Sequence, residues 1–334
     1  MLSSPEARLQ RALSSLEGLS VGDAFGEGFF MSFEMAARLL EKEDEWGGPP
    51  YAFMDDFILR ELIDVRRLEF MPPVWKWTDD TALALEIVAE LREHGRIEPD
   101  SLAVRFARRY LHEPARGYGG AMHSLLPRLE RENWRESAQN LFDGQGSFGN
   151  GSAMRVPPLG AYFADDWVLL KEQARLSAIV THAHDEAVAG AIATAIATAI
   201  CARLREDNLE LEPRHFLSEV IAHTPDSEVK SRLVECHDFP ESYTSEQVAS
   251  IVGSGESVTC QDTVPFCVWC AATEHRHFSE AMWLTVAGLG DRDTTCAIVG
   301  GIVGAKSGKE GIPAEWRMKR EPLPSELKLS LDTP

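Results

Sequence analysis

Two short acidic stretches lie far apart in the chain. One is Trp77-Thr78-Asp79-Asp80-Thr81 and the other Gly290-Asp291-Arg292-Asp293-Thr294-Thr295. Each stands directly before a small, apolar run that reads as helix, at 82–91 and 296–305. Thr and Asp cap helix N-termini well, and carboxylates are favoured at that positive end. Two capped helices account for one carboxylate per site, but not for two at each end flanked by hydroxyls. If the two ends meet, four carboxylates and two threonine hydroxyls share one place. Such a cluster repels itself unless cations neutralise it, and hard oxygen donors of this kind suit Mg²⁺ or Mn²⁺.

A third stretch is Gly144-Gln145-Gly146-Ser147-Phe148-Gly149-Asn150-Gly151-Ser152-Ala153-Met154-Arg155. Its glycines leave backbone N–H groups free, and Ser147 and Asn150 add polar side chains. Arrays of free amides bind phosphates and other anions. The spacing matches neither a Walker loop nor a dinucleotide fingerprint, and an ordinary connecting loop has the same composition. His182 and His184 precede a long Ala-rich run. A lone HxH at that position reads as hydrogen bonding at a helix start, with one ring facing a ligand, rather than as a metal pair.

These residues need a scaffold. The chain has 334 residues, 44% of them hydrophobic and 26% charged, a composition typical of a soluble globular protein. Its formal net charge of -20 argues against a nucleic-acid-binding surface. Six cysteines are scattered with no disulfide pattern. Cys267-Val268-Trp269-Cys270 lies in an apolar run and reads as buried thiols in preference to a zinc or redox site. The first 18 residues hold no apolar signal core, so a cytoplasmic protein is expected. Residues 187–204 are almost uncharged but rich in Ala, Ile, Thr and Gly between charged ends. They fit a central buried helix better than a membrane span.

Helical periodicity recurs at 7–24, 31–41, 81–94, 101–111, 121–129, 135–140, 169–180, 264–273 and 278–287, with 212–252 helical in pieces. The glycines of Gly22-Asp23-Ala24-Phe25-Gly26-Glu27-Gly28 suit either close backbone approach or a helix end. Residues 29–73 have the character of a loop-rich flap, with a turn at 47–50. No β alternation appears. The expected architecture is all-α, one domain over 1–310 and a C-terminal tail over 311–334.

Taken together, the motifs resemble the ADP-ribosylhydrolase family of the dinitrogenase-reductase-activating glycohydrolase type. The landmarks come in order: GLSVGDAFG at 18–26, WTDDTALAL at 77–85, RGYG at 116–119, GSFGNGSAMR at 146–155, THAHDEAVAGA at 181–191, DTVP at 262–265 and GDRDTTCAIVGGIVG at 290–304. The resemblance implies a compact all-α domain with a cleft holding two Mg²⁺ (or Mn²⁺). Thr78, Asp79 and Asp80 would be ligands from one side, and Asp291, Asp293 and Thr294 from the other, with Asp293 bridging both ions. The stretch Gly146, Ser147, Phe148, Gly149, Asn150 and Gly151 would cradle the diphosphate and distal ribose, Gly117 and Gly119 would line the same cleft, and His182 would sit beside the ligand.

The implied partners are ADP-ribose and an ADP-ribosylated protein, with no nucleic acid, no membrane and a monomeric state. The implied reaction releases ADP-ribose from serine- or arginine-linked side chains, with Asp79 and Asp291 as acid and base. Cleavage of another conjugate such as an O-acetyl ester, and an inactive ADP-ribose-binding or structural protein, are the alternatives. Two positions depart from the family's pattern: Phe30 stands where many members carry a Glu, and Arg292 where a small residue is usual between the aspartates.

Overall fold

The computed structural model describes residues 3–30 and 59–324. Among them the fold is all-α, with no strand and only two isolated bridges, Trp75 with Arg320 and Gly149 with Thr259. The helices of eight or more residues are α1 (Pro5–Glu27), α2 (Asp79–His94), α3 (Pro99–His112), α4 (Trp167–Ile179), α5 (Asp185–Glu206), α6 (Pro213–His223), α7 (Glu228–Asp238), α8 (Ser245–Val252), α9 (Cys260–Glu274), α10 (Phe278–Val286) and α11 (Arg292–Gly311). The helix expected at 31–41 and the turn at 47–50 lie outside the described residues.

Local chemistry starts and stops these helices. Ser4 accepts from the Ala7 amide and Pro5 occupies the first turn of α1, where its missing N–H costs nothing. Thr78 caps α2, which ends on left-handed Gly95. Thr244 and Gln247 form a reciprocal capping box on α8.

The pairing that matters most for the site is α1 against α11. Gly18, Gly22 and Gly26 recur every fourth residue and form one bare stripe along α1. A Cβ added at Gly18 would lie 2.2 Å from the Gly300 carbonyl oxygen, at Gly22 2.1 Å from that of Cys296, and at Gly26 2.1 Å from that of Arg292. Gly300 and Gly304 answer from the other helix, each meeting the Gly18 backbone. Only glycine lets the two backbones touch in this way. The antiparallel register sets the C-terminal half of α1, with Asp23 and Glu27, beside the N-terminus of α11.

α5 is the central helix that its small residues suggest. It is long and apolar enough to cross a membrane by length and composition, but 89% of its apolar window is buried inside the fold, against α4, α9 and α11. All six cysteines are buried and free, and burial pushes the Cys267 and Cys270 thiols up.

Residues 312–324 pack onto the domain, although their polar, proline-containing sequence suggests a tail. Trp316 stacks on Phe25 at 4.7 Å and meets Trp75 and Trp283 edge-on. The Trp75 amide donates to the Lys319 carbonyl and the Glu321 amide to the Trp75 carbonyl, both at 2.7 Å. Arg116, lying over the Trp77 ring, ion-pairs with Glu321 at 2.7 Å. The segment thus braces the approach to the first acidic motif. The final ten residues lie outside the described residues.

Candidate active site

The N-termini of α2 and α11 do meet, and a residue of α1 joins them. Asp23 is fully buried. Its carboxylate accepts from the Thr78 amide at 3.0 and 3.1 Å, the Thr78 hydroxyl at 2.9 Å, the Thr81 amide at 3.1 Å and the Thr81 hydroxyl at 2.5 Å. Asp23 therefore pins the start of α2 to α1, and sequence reasoning missed it by attending only to the glycines around it. The available signal was an acidic residue inside the G-x₃-G-x₃-G stripe of a buried helix.

The Thr78 hydroxyl lies 2.9 Å from Asp23 Oδ1 and 3.0 Å from Asp80 Oδ2. It has one proton, so it satisfies one of these two carboxylates and leaves the other needing a proton or a cation. Asp80 Oδ1 and Asp293 Oδ1 are buried with no hydrogen-bond partner among the described residues. Orphaned carboxylate oxygens of this kind are costly unless something positive meets them.

The electrostatics agree. Burial, with Asp293, Asp23 and Asp291 nearby, raises Asp79 well above the usual carboxylate range. Burial with Asp23 and Asp293 does the same to Asp80. Burial also lifts Asp291 to about 7, reinforced by Asp293, and Asp23 and Asp293 to about 6. Among the described residues no group of three or more His, Cys, Asp or Glu is already arranged as a metal shell. The fit to a divalent cation rests on the donor chemistry instead: five crowded carboxylates, two of them with orphaned oxygens, and the hydroxyls of Thr78 and Thr294. Such a set matches Mg²⁺ or Mn²⁺ and no softer metal.

A pH dependence follows for the metal-free protein. A carboxylate raised in the folded state binds more protons folded than unfolded between its two pKa values, so stability falls as pH rises through that window. His182 and His275, lowered by burial, act in the opposite sense, but only up to their ordinary value near 6.5. In EDTA the thermal midpoint should therefore fall from pH 6.5 to pH 8, and saturating Mg²⁺ should restore it. A midpoint flat over that range in EDTA would contradict a crowded acidic floor.

Above this floor lies a cleft of about 320 Å³. Asp79, Asp291, Asp293 and Thr294 line it, together with Gly117, Gly119, Ser147, Phe148, Gly149, Asn150, Gly151 and His182. Thr78 and Asp80 are buried and do not reach its surface. Gly146 also stays out of it: its φ is +75° and an added Cβ would meet the His184 amide nitrogen at 2.9 Å, so glycine there serves a turn packed on the histidine segment. Gly117, with φ +89°, lets the 116–119 segment cross the start of α2, where the Asp79 amide donates to the Arg116 carbonyl at 2.7 Å.

Several of the amides that the glycine-rich composition leaves free are in fact occupied, that of Gly146 by the Leu141 carbonyl at 3.0 Å. The Gly149 amide donates to Ser147 Oγ at 3.2 Å and the Asn150 amide to the Val258 carbonyl at 3.1 Å. The Asn150 side chain points at the acidic floor, donating to Asp291 Oδ2 at 2.7 Å and Thr263 Oγ1 at 3.1 Å. Phe148 forms an aromatic wall with Phe142 and His184.

His182 is nearly fully buried and packs against the Gly149–Gly151 backbone. Arg155 donates to the Thr181 hydroxyl at 2.8 Å, and that hydroxyl sits 2.7 Å from His182 Nδ1. The Thr181 hydroxyl thus engages Nδ1 and leaves Nε2 against the Gly149–Gly151 backbone. Burial and Arg155 lower the His182 pKa to about 3, so the ring is neutral.

The family model for ADP-ribosylglycohydrolases matches residues 4–330. The chain belongs to the ADP-ribosylglycohydrolase family. Human (Homo sapiens) ADP-ribosylhydrolase ARH3 is 28% identical over 278 residues, covering 73% of this chain and 74% of that protein. ADP-ribosylarginine hydrolase Tri1 of Pseudomonas putida (strain GB-1) is 26% identical over 323 residues, covering 93% of this chain and 74% of that protein. A solved ADP-ribosylglycohydrolase-related protein complex superposes with a TM-score of 0.62 at 23% identity, covering 94% of this chain and 96% of that one, which shows that the fold is shared. In this ADP-ribosylglycohydrolase-family chain Phe30 is half exposed, with its ring 4.2 Å below the Arg292 guanidinium. Glu27, one turn along α1 from Asp23, lies close enough for its charge to raise Asp293; burial raises Glu27 itself, and the nearby Arg292 offsets part of that rise.

Proposed function

We propose that this chain is a metal-dependent hydrolase that releases ADP-ribose from ADP-ribosylated protein side chains, serine- or arginine-linked, by cleavage at the anomeric carbon of the distal ribose. The observation that carries this reading is the meeting of the two acidic helix starts at the floor of a glycine-walled cleft, with buried carboxylate oxygens that nothing among the described residues satisfies. The names of the relatives, which act on ADP-ribosyl groups, point the same way.

Thr78, Asp79 and Asp80 from α2 and Asp291, Asp293 and Thr294 from the start of α11 would hold two Mg²⁺ or Mn²⁺. When bound, such ions neutralise the acidic floor and act as Lewis acids on sugar and water oxygens. The chain supplies the rest. Ser147, Phe148, Gly149 and Gly151 form a wall for the diphosphate and ribose, and His182 adds a neutral imidazole to it. Glycoside cleavage needs a proton donor and an acceptor. Asp79 and Asp291 are assigned those roles: both line the cleft, whereas Asp80 lies beneath it and Asp293, which also lines it, would be fully engaged in holding the metal. Asn150 holds the Asp291 carboxylate in orientation.

The test is release of ADP-ribose from serine-linked and arginine-linked ADP-ribosyl peptides in Mg²⁺, in Mn²⁺ and in EDTA. Release from at least one peptide is expected with metal, falling on the order of a hundredfold or more in EDTA. Undiminished release in EDTA would remove the metal from the reading, and no release from either peptide would remove the hydrolase.

A further inference from the structure

The half-buried guanidinium of Arg116 lies beside the first acidic motif. Its Nε donates to Glu113 Oε1 at 3.3 Å. Nη1 donates to Glu321 Oε2 at 2.7 Å and to the Trp77 carbonyl at 3.1 Å. Nη2 donates to Glu113 Oε1 at 2.7 Å and to Glu321 Oε1 at 3.1 Å. A guanidinium has five N–H donors in a fixed planar fork, and here none is left over. The group also stacks on Trp77, with Cζ 3.4 Å from the ring centre. An ammonium in its place has only three donors and no plane.

The main chain of the same residue acts two positions further on. The Arg116 carbonyl accepts from the Asp79 amide at 2.7 Å. Side chain and main chain of Arg116 therefore hold Trp77 and Asp79, on either side of Thr78. Thr78 itself is held by Asp23 from α1. Gly117 comes next, and a Cβ added there would lie 3.7 Å from Asp79 Oδ1, so the first glycine of the cleft wall lies against the acidic motif. Glu321 closes the frame. Its amide donates to the Trp75 carbonyl at 2.7 Å while its carboxylate holds Arg116, so one residue fastens both the segment leading into the motif and the segment crossing it.

We infer that Arg116, anchored by Glu321, is a positioning residue that holds Thr78 and Asp79 in place for divalent cations. This inference rests on the metal-dependent reading and deepens it. The charge of Arg116 is met locally by Glu113 and Glu321, so its effect on the site is geometric and not a charge presented to the cleft. Residues that orient metal ligands from behind govern affinity because a ligand already in place loses little freedom when the ion arrives. Removing the fork frees Trp77 on one side of Thr78 and loosens the carbonyl that receives the Asp79 amide on the other.

The experiment is calorimetric Mg²⁺ titration of the full chain as wild type, R116M, R116K, E321Q and R11M, with thermal midpoints and the Mg²⁺ dependence of ADP-ribose release from the two peptides. R11M is the structural control. Arg11 is buried and ion-paired with Asp165 at 2.7 Å, but lies about 18 Å from Asp23 along α1 by helical rise. R116M and R116K should each weaken Mg²⁺ binding about 10–100-fold, and E321Q about threefold or more. The Mg²⁺ needed for half-maximal release should shift by the same factor, and excess Mg²⁺ should return kcat to within about threefold of wild type. R11M should lose thermal stability yet keep its Mg²⁺ affinity within about twofold. Wild-type Mg²⁺ affinity in R116M or R116K, or an equal loss in R11M, overturns the inference alone. Weakened Mg²⁺ binding in the Arg116 variants, when the wild type releases ADP-ribose from neither peptide, upholds the positioning role and removes the hydrolase reading. A wild type that binds no Mg²⁺ overturns the metal reading and this inference with it.

Discussion

Asp80→Asn or Asp293→Asn should abolish metal-dependent release of ADP-ribose, with a loss on the order of a thousandfold or more, while making the metal-free protein more stable. The two effects have one cause. Five carboxylates crowd the junction of α1, α2 and α11, and burial together with neighbouring carboxylates raises Asp79, Asp80 and Asp293. Removing one charge relieves the repulsion and removes a carboxylate whose Oδ1 has no partner among the described residues. It also ends the competition for the single Thr78 proton in the case of Asp80. In EDTA at pH 7.5 the thermal midpoint of either variant should rise by about 2 °C or more, the scale of a 1 kcal/mol gain in a chain of this size. Added Mg²⁺ should then stabilise the wild type strongly and the variants little. A variant that loses activity through plain misfolding would instead have a lower midpoint under both conditions. Wild-type turnover in either variant would remove that residue from the metal set.

Gly22→Ala should cost about 3 kcal/mol of stability and weaken metal binding at the same time. The added Cβ would lie 2.1 Å from the Cys296 carbonyl oxygen, and backbone cannot step aside as a side-chain tip can. α1 and α11 would have to part, carrying Asp23 away from Asp293. Gly120→Ala is the matched control, since nothing lies within 4 Å of a Cβ added there; its midpoint should stay within about 2 °C of wild type, as expected of a substitution that meets no neighbour. Denaturant unfolding of both variants, with calorimetric Mg²⁺ titration of Gly22→Ala, would check this. An unchanged Mg²⁺ affinity in a destabilised Gly22→Ala protein would mean that the acidic floor tolerates a shift of α1 against α11.

Much of this site could be read from the chain alone because its signals are local. Thr78-Asp79-Asp80 and Asp291-Arg292-Asp293-Thr294 mark helix starts through capping and dipole chemistry that acts within one turn. The Ala-rich run that became α5 carries its burial in its composition, and an all-α domain follows from helical periodicity without β alternation. What lay out of reach depends on register between segments distant in sequence. Gly18, Gly22 and Gly26 signal a close approach, but nothing in them names Gly300, Cys296 and Arg292 as the surface approached. Asp23 becomes part of the acidic floor only because that register sets it beside Thr78 and Thr81. Gly146 looks like its neighbours in the anion-cradling stretch, yet a left-handed turn against His184 takes it out of the cleft. Residues 312–324 are polar enough to pass for a tail, and one tryptophan, Trp316, docking among Phe25, Trp75 and Trp283, makes them part of the domain. Local free energies of capping, periodicity and burial preference are written along the chain, whereas side-chain roles that depend on a partner exist only once packing has chosen it.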